Sequence, residues 1–592
     1  MISAIPPAVV FIVGAVLIPF LRGRVKIAYM LILPLISFYI LLSVDNGTHW
    51  TVEFLDYHLI LGRVDRLSKV FGYIFTIISF IGFLFAAKAD DDMQHVSTVV
   101  YAGAALGVTF AGDVFSLYIF WEIMAVASTF VVLAGRTPAA QKAAFRYIMV
   151  HLAGGLSLLA GIILFTQRTG SIEFSHIGLD GLDSYLIFLG IALNAAIPPL
   201  HPWLQDAYPE ASPTGAVFLS AFTTKSAVYV MARTFAGEEL LIYMGAIMTA
   251  LPIFYAVLEN DIRRVLAYSL INQVGFMMCG IGIGTQLAIN GTVSHAFCHI
   301  LYKALLFMSA GAVLFRTGKI RCTDLGGLYK TMPLTCVFCM VGAASISAFP
   351  LFSGFVSKSM IISAASHDKL ALVWLILQFA SAGVFHHAGI KVPYFTFFSE
   401  DSGLRPKEAP LHMLIAMGLA AFMCVFLGVY PQPLYAILPY PVDYIPYTAA
   451  HVVGQLQLLM FGALAFCLLI LSGFYPAELR AINLDTDWFY RKGGKLFYRA
   501  ADRGLNSLNR VCARFFLDGV TATVSGFFKD GPARLAAFAF NPVWTRTKSN
   551  DNPKDAQKKK EALKMALRVG ATPIGVSAAL ATLFLLVLFI LI

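Results

Sequence analysis

Charge is what this chain lacks: only 13% of its 592 residues are Asp, Glu, Lys or Arg, against roughly 25% in an ordinary soluble domain. A soluble globular protein is excluded, because 58% of the residues are hydrophobic and apolar runs of the roughly 20 residues needed to cross a bilayer recur along almost the whole chain. Cysteine is scarce too. Of eight cysteines only Cys336 and Cys339 form a C-x-x-C pair, and it lies inside an apolar run with no second pair at metal-site spacing, so a small core residue is the reading for each. A Gly-rich nucleotide loop, a haem or iron–sulfur cysteine pattern and a nucleophile elbow are all missing. No cofactor and no metal is expected.

What is present is an all-α polytopic membrane protein with about sixteen transmembrane helices. A transmembrane domain over 1–475 is followed by a basic amphipathic arm over 476–570 and a C-terminal anchor over 571–592. The first run has neither a basic flank before it nor a small-residue cleavage site after it, so it reads as a retained span rather than a signal peptide. With the N-terminus outside, the short inside loops hold about fifteen Lys and Arg against about six outside, which satisfies the positive-inside rule. The arm then lies on the cytoplasmic side. Nine of the ten net positive charges fall within 478–570, which has 18 Lys and Arg against 9 Asp and Glu. Its part at 495–528 sets an apolar stripe (Leu496, Phe497, Ala500, Leu505, Leu508, Val511, Phe515, Phe516) against a basic one (Lys495, Arg499, Arg503, Arg510, Arg514). That pattern suits membrane lipid or neighbouring subunits rather than nucleic acid. Lys548 to Lys560 reads as a polar linker.

Two spans look interrupted. The one at 184–200 ends in Ile197-Pro198-Pro199-Leu200-His201-Pro202, and the one at 331–366 contains Phe349-Pro350 followed by Ser353-Gly354. Broken helices expose backbone polar groups, which is tolerated at membrane depth only when they are buried in protein or line a wet cavity, and in transporters they mark the conduction site.

Ionisable residues inside spans cost from about 2.5 kcal/mol upward and are functional candidates by default. They are Glu122, Lys225, His295, His299, Lys303, Lys358 and Lys391. Burial disfavours the charged form of a lysine and brings it within reach of reversible protonation, so a row of such groups can pass protons. His295, His299 and Lys303 recur every fourth residue and share one helix face. A proton relay, a structural hydrogen-bonding role and a zinc pair are the readings open for that face. Lys391 lies near the end of its span, where it either joins the relay or snorkels to the interface. For Lys225 and Lys358 the plain alternative is a structural ion pair.

The stretch Pro199-Leu200-His201-Pro202-Trp203-Leu204, through Asp206-Ala207-Tyr208-Pro209-Glu210-Ala211 to Thr214-Gly215-Ala216 and Phe222-Thr223-Thr224-Lys225, resembles the antiporter-like subunits of respiratory complex I and of Mrp-type cation/proton antiporters. It is most similar to the D-type subunit of the Mrp antiporters. Trp121-Glu122, Asp261 through Ser269, His295 through Phe307 and Ser353 through Lys358 extend the resemblance over roughly residues 65–430. The resemblance implies inverted five-helix repeats with one broken helix each, a central proton-carrying axis, and a prokaryotic cytoplasmic membrane location. It also implies homologous antiporter-like and small membrane subunits as partners, and protons, with Na+ as a second ion. By position it makes Glu122 the lateral coupling glutamate, Lys225 an axis lysine, His299 and Lys303 part of the central relay, and Lys358 the lysine of the second broken helix. One position departs: where the family usually has a lysine in the first broken helix, this chain has Asn194, which cannot titrate. The parent assembly expected is an antiporter, with a redox-driven hydrogenase or quinone-reductase membrane arm, a non-conducting scaffold, or a partner in inorganic carbon uptake as alternatives.

Overall fold

The computed structural model describes residues 5–480, 483–526, 535, 538–539, 553–566 and 574–591. They belong to two compact units, Met1–Asp487 and Trp488–Ile592.

In the first unit, helices α1 (Pro7–Ala15) and α2 (Gly23–Ser43) lead into an antiparallel hairpin of β1 (Gly47–Phe54) and β2 (Tyr57–Val64). The hairpin is an addition to the expected all-helical chain. In β1, Trp50, Val52 and Phe54 alternate with Thr51 and Glu53, the two-residue period of a strand. It is tied to the bundle where Gly112 N donates to Ile60 O (2.8 Å) and Ile60 N to Asp113 Oδ2 (2.6 Å). Helix α3 (Arg66–Phe85) starts at Asp65, which forms a capping box with Ser68 and so satisfies donors the first turn leaves free.

Two series of elements then follow in the same order. The first is α4 (Asp92–Phe110), α5 (Val114–Leu133), α6 (Pro138–Thr169), α7 (Leu182–Asn194), α8 (Pro202–Ala207), α9 (Gly215–Ala221) and α10 (Thr223–Thr234). The second is α11 (Glu239–Leu258), α12 (Ile262–Ile283), α13 (Gln286–Thr317), α14 (Pro333–Ile346), α15 (Ser353–His367) and α16 (Ala371–Val384). Helices α6 and α13 are each 32 residues long, begin after a threonine (Thr137, Thr285) and end on a left-handed glycine (Gly170, Gly318), the conformation glycine adopts without a Cβ penalty. Helices α5 and α12 each begin at an aspartate, Asp113 and Asp261, whose carboxylate accepts first-turn N–H groups. Each of those aspartates also bridges to the segment after the long helix, at Glu173 and Arg321. Helices α7 and α14 stop short at 13 and 14 residues, and in both cases an alanine two positions later takes a left-handed turn: Ala196 at φ 59° and Ala348 at φ 56°.

These are the two breaks the prolines announce. Two further interruptions fall where the sequence reads as plain spans. One is at Phe222, between α9 and α10; the other is a pair of π-helical stretches, Phe385–Lys391 and Tyr394–Phe398, after α16. Helices α17 (Leu411–Val429), α18 (Gln432–Ile437) and α19 (Ala449–Leu471) complete the bundle. Among the described residues eleven helices are long and apolar enough to cross a membrane. The larger number read from sequence includes spans that the breaks divide into short halves, such as α7 and α14.

Burial grades the helices. The most apolar stretch of α12 and of α13 is 94% buried and that of α9 and α10 is wholly buried, whereas that of α19 is 11% buried. Helices enclosed on all sides form the centre of a bundle, and these enclosed helices carry most of the candidate residues.

In the second unit, α20 (Asp487–Cys512) continues through a π-helical stretch, Ala513–Val520, and remains helical to 526. Its apolar stripe, including Leu496, Phe497, Leu508 and Phe515, is exposed; 527–528, the end of the expected helix, lie outside the described residues. Pro553–Ala566 is helical where the charge run reads as linker: its Lys, Glu and Ala are good helix formers and its proline takes the first position. Residues 548–552 lie outside the described residues. The final span is helical over Ile574–Leu591.

Candidate functional site

Lys225, Lys303 and Lys358 are completely buried, and none has a carboxylate within 4.0 Å among the described residues. Their partners are neutral oxygens. At the Phe222 break the Ser220 carbonyl accepts the Lys225 ammonium at 2.6 Å, with Thr224 Oγ1 at 3.1 Å. Lys303 Nζ donates to Ser269 Oγ at 2.8 Å. Lys358 Nζ donates to the carbonyl of Ile346, the last residue of α14, at 2.7 Å, and stands 5.2 Å from the centre of the Phe276 ring. Two of these lysines therefore sit at helix interruptions, where a carbonyl freed from the helix ladder faces them. A structural ion pair, the plain alternative for Lys225 and Lys358, is not what surrounds them.

The histidines link this row. His295 Nδ1 lies 3.2 Å from Ser357 Oγ, on the residue before Lys358, and its Nε2 lies 3.4 Å from the Tyr302 hydroxyl. Tyr302 donates to Gln273 Oε1 (3.0 Å), and Gln273 donates to Asn272. His299 packs edge-on to Tyr302 with both ring nitrogens buried and, among the described residues, without a hydrogen-bond partner. A buried polar atom left bare is costly unless water or a transferred proton meets it. Among the described residues no three His, Cys, Asp or Glu come together in a group able to hold a metal ion.

Beside Lys358 a cavity of about 730 Å³ is lined by Ser359, Ser363, Gln378, Ser381, His451 and Gln455. Its α19 residues run from 450 to 461, the first half of that helix, so it lies toward the end of α19 away from 472–487.

Glu122 is set apart. It is half-buried on α5 in an apolar groove with Met93, Val96, Val100, Val126 and Phe130. Its Oε1 has no partner and lies where a Cβ on Gly155 would come within 2.0 Å. Among the described residues no hydrogen bond or ion pair joins it to the lysine row. Asn194, the departure from the family pattern, is held by His151, whose Nδ1 lies 2.7 Å from Asn194 Oδ1. His151 occupies the place in α6 that His299 occupies in α13, counted from Thr137 and Thr285, and that internal correspondence is the signal that could have found it.

Lys391 does not snorkel. It is fully buried, donates to the Val257 and Glu259 carbonyls at 2.7 Å each, and pairs with Glu478 at 2.7 Å. Sequence reasoning also missed His201, buried 3.3 Å from Asp485 Oδ2, and His387, buried with both ring nitrogens bare. Both acidic partners, Glu478 and Asp485, come from the segment after α19, and nothing local in the sequence announces them.

Residues 111–384 match the family described as NADH:quinone oxidoreductase/Mrp antiporter, TM. Those residues are thus similar to an antiporter-like membrane-subunit domain. It is 27% identical to the A-type subunit of the Na(+)/H(+) antiporter of Alkalihalophilus pseudofirmus over 489 residues, 71% of this chain and 60% of that one. It is also 27% identical to the D-type subunit of the same organism, over 61% of this chain and 80% of that one. The chain thus spans less than two thirds of the length of the A-type relative. Its fold matches a chain of the membrane-bound sulfane sulfur reductase, an archaeal respiratory membrane complex, with a TM-score of 0.69 at 23% identity, covering 86% of this chain and 95% of that one. This is a polytopic protein of a cell membrane.

Proposed function

We propose that this antiporter-like chain is a proton-translocating subunit of a multi-subunit complex in a prokaryotic cytoplasmic membrane. The observation that carries the reading is the row of three completely buried lysines met only by neutral oxygens. A buried ammonium without a counter-charge gives up its proton more readily than a paired one, and neighbouring His295, Tyr302 and Ser357 provide atoms that both donate and accept. Protons would move between Lys358, His295, His299 and Lys303 and on toward Lys225, with the polar cavity at Lys358 as one aqueous approach. Within the family, the D-type Mrp subunit is the motif-based assignment, with Na+ as the exchanged ion. A redox-driven parent complex is the second reading, supported by a family description that joins quinone oxidoreductases to antiporters. The N-terminus would lie outside, on the count of basic residues in the loops.

The test is proton flux by purified complex in vesicles. Lys358→Ala should assemble and lose at least about 100-fold in flux, the scale of a lost proton-transfer group; Lys358→Arg should fail equally, since Arg does not deprotonate in the working range. Wild-type flux in an assembled Lys358→Ala complex would overturn the proton-translocating reading.

The exposed apolar and basic stripes of α20 are proposed to clasp neighbouring membrane subunits. Deletion of 488–592 should strip partners from the complex in mild detergent, more so in high salt. Full partner stoichiometry at every salt concentration would end that idea.

A further inference from the structure

The described residues 474–480 and 483–487 form a strap that meets the second series of helices first and the first series last. At its start Tyr475 stacks on His386, with ring centres 5.8 Å apart. Glu478 then reaches Lys391 at 2.7 Å, and Arg480 reaches Asp324 at 2.5 Å. Asn483 donates to Glu259 Oε2 at 3.3 Å. Asp485 accepts from Gln205 Nε2 (2.8 Å) and the Tyr268 hydroxyl (3.0 Å) beside His201, and Thr486 donates to the carbonyl of Pro199 in the first helix break (2.9 Å).

Phe474, Ala477, Leu479, Arg480 and Leu484 of the strap are exposed. Two carboxylates turn inward: the Glu478 side chain is 8% exposed and that of Asp485 4%. Each meets a completely buried base at the interrupted part of a helix, His201 beside the first break and Lys391 in the π-helical stretch. The contacts are close but imperfect as anchors. His201 Nε2 and Glu478 Oε1 both fall outside hydrogen-bond geometry although their charged partners are near. A pair evolved only to fasten the strap would align them, since a buried ionic contact stabilises only with good geometry and full hydrogen bonding.

We propose that Asp485 and Glu478 are proton-exchange groups, passing protons between water at the strap and the two bases His201 and Lys391, one for each series of helices. The proposal rests on the proton-translocating reading. At Asp485 a proton taken from water makes the carboxylic acid; its O–H bond then breaks as an N–H bond forms on the His201 imidazole, and the carboxylate is restored. At Glu478 the same exchange runs between carboxyl and Lys391 amine. No electrons change hands. The surroundings set the two carboxyls apart. Burial pushes Asp485 up, but His201, the Thr486 N–H and Tyr268 outweigh it and hold the group below the usual carboxylate range. Burial also pushes Glu478 up, and there it prevails over Lys391, with Glu259 adding to the rise.

The test uses the assembled complex in vesicles with Asp485→Asn and Glu478→Gln. An Asn oxygen still accepts from Gln205 and Tyr268, so a merely structural Asp485 predicts normal flux. The relay role predicts assembly with at least a tenfold loss for each variant, and recovery of at least half the flux in Asp485→Glu and Glu478→Asp. Normal flux in either neutral variant, or a loss that the acidic variant does not recover, overturns the role of that residue. If a neutral variant fails to assemble, His201→Gln or Lys391→Gln breaks the same exchange with the strap intact, and normal flux there overturns it equally. Lys358→Ala is the control: normal flux in that variant would fail the proton-translocating reading itself. Loss in Lys358→Ala with normal flux in both strap variants would overturn the strap proposal alone.

Discussion

The two series of helices, α4–α10 and α11–α16, share their caps and break points but not their titratable side chains. In the first, the buried polar residues around the proline break are His151, Asn194 and His201, wrapped by Tyr147 and Trp203, and the one buried lysine is Lys225 at the Phe222 break. In the second they are His295, His299, Lys303, Lys358 and Lys391. Counted from Thr137 and Thr285, His151 corresponds to His299, Tyr147 to His295 and Gly155 to Lys303. The comparison teaches that the scaffold is fixed by a few terminal residues, the aspartates before α5 and α12 and the glycines after α6 and α13. The titratable groups are set separately, by differences along one helix face that leave those caps untouched.

The largest test of that contrast is to make the same change at the matched histidines. His299→Gln should lower proton flux by about 100-fold, because the bare imidazole between His295 and Lys303 is lost. His151→Gln should cost about tenfold or less, since a Gln amide still bonds Asn194. Equal losses in vesicle assays would show that both series carry protons alike.

A smaller effect is expected from making the first break resemble the family pattern. Asn194→Lys should be tolerated beside His151 and should increase dependence on Glu122. In a double-mutant cycle with Glu122→Gln, a coupling of about 0.5–3 kcal/mol is expected for residues that come to share a network; additive effects would show that the two positions do not communicate.

The smallest effect belongs to Gly155→Ala. The new Cβ would lie 2.0 Å from Glu122 Oε1, but that atom ends a flexible side chain beside an open groove, so it can swing away. A loss of about 1 kcal/mol or less is expected, at the low end for overpacking, read as a small drop in the melting temperature of the purified complex. A loss of several kcal/mol would mean that Glu122 is locked in place.

Much of this was legible in the sequence, for physical reasons that can be named. Charges within apolar runs are expensive enough to be conspicuous, which exposed Lys225, His295, His299, Lys303 and Lys358. Proline cannot continue a helix ladder, which exposed the breaks after α7 and α14. The interruption at Phe222 was hidden because Ala221-Phe222-Thr223 contains no breaker; tertiary packing and the Lys225–Ser220 contact replace the lost ladder bond there. The π-helical stretch that ends at Lys391 was hidden for the same reason, and with it the burial of that lysine. Glu478 and Asp485 could not be found at all, since their partners lie far back in the chain and pairing at such separation leaves no local pattern.

The strap also has a consequence in time. A chain is made from its N-terminus at about 5–20 residues per second, and 474–487 is the last part of the first unit to leave the ribosome. Every helix through α19 exists before the strap does. Until Asp485 and Glu478 arrive, His201 and Lys391 have no acid from the strap beside them, so on the relay reading a half-made protein in the membrane lacks both of its outer proton contacts.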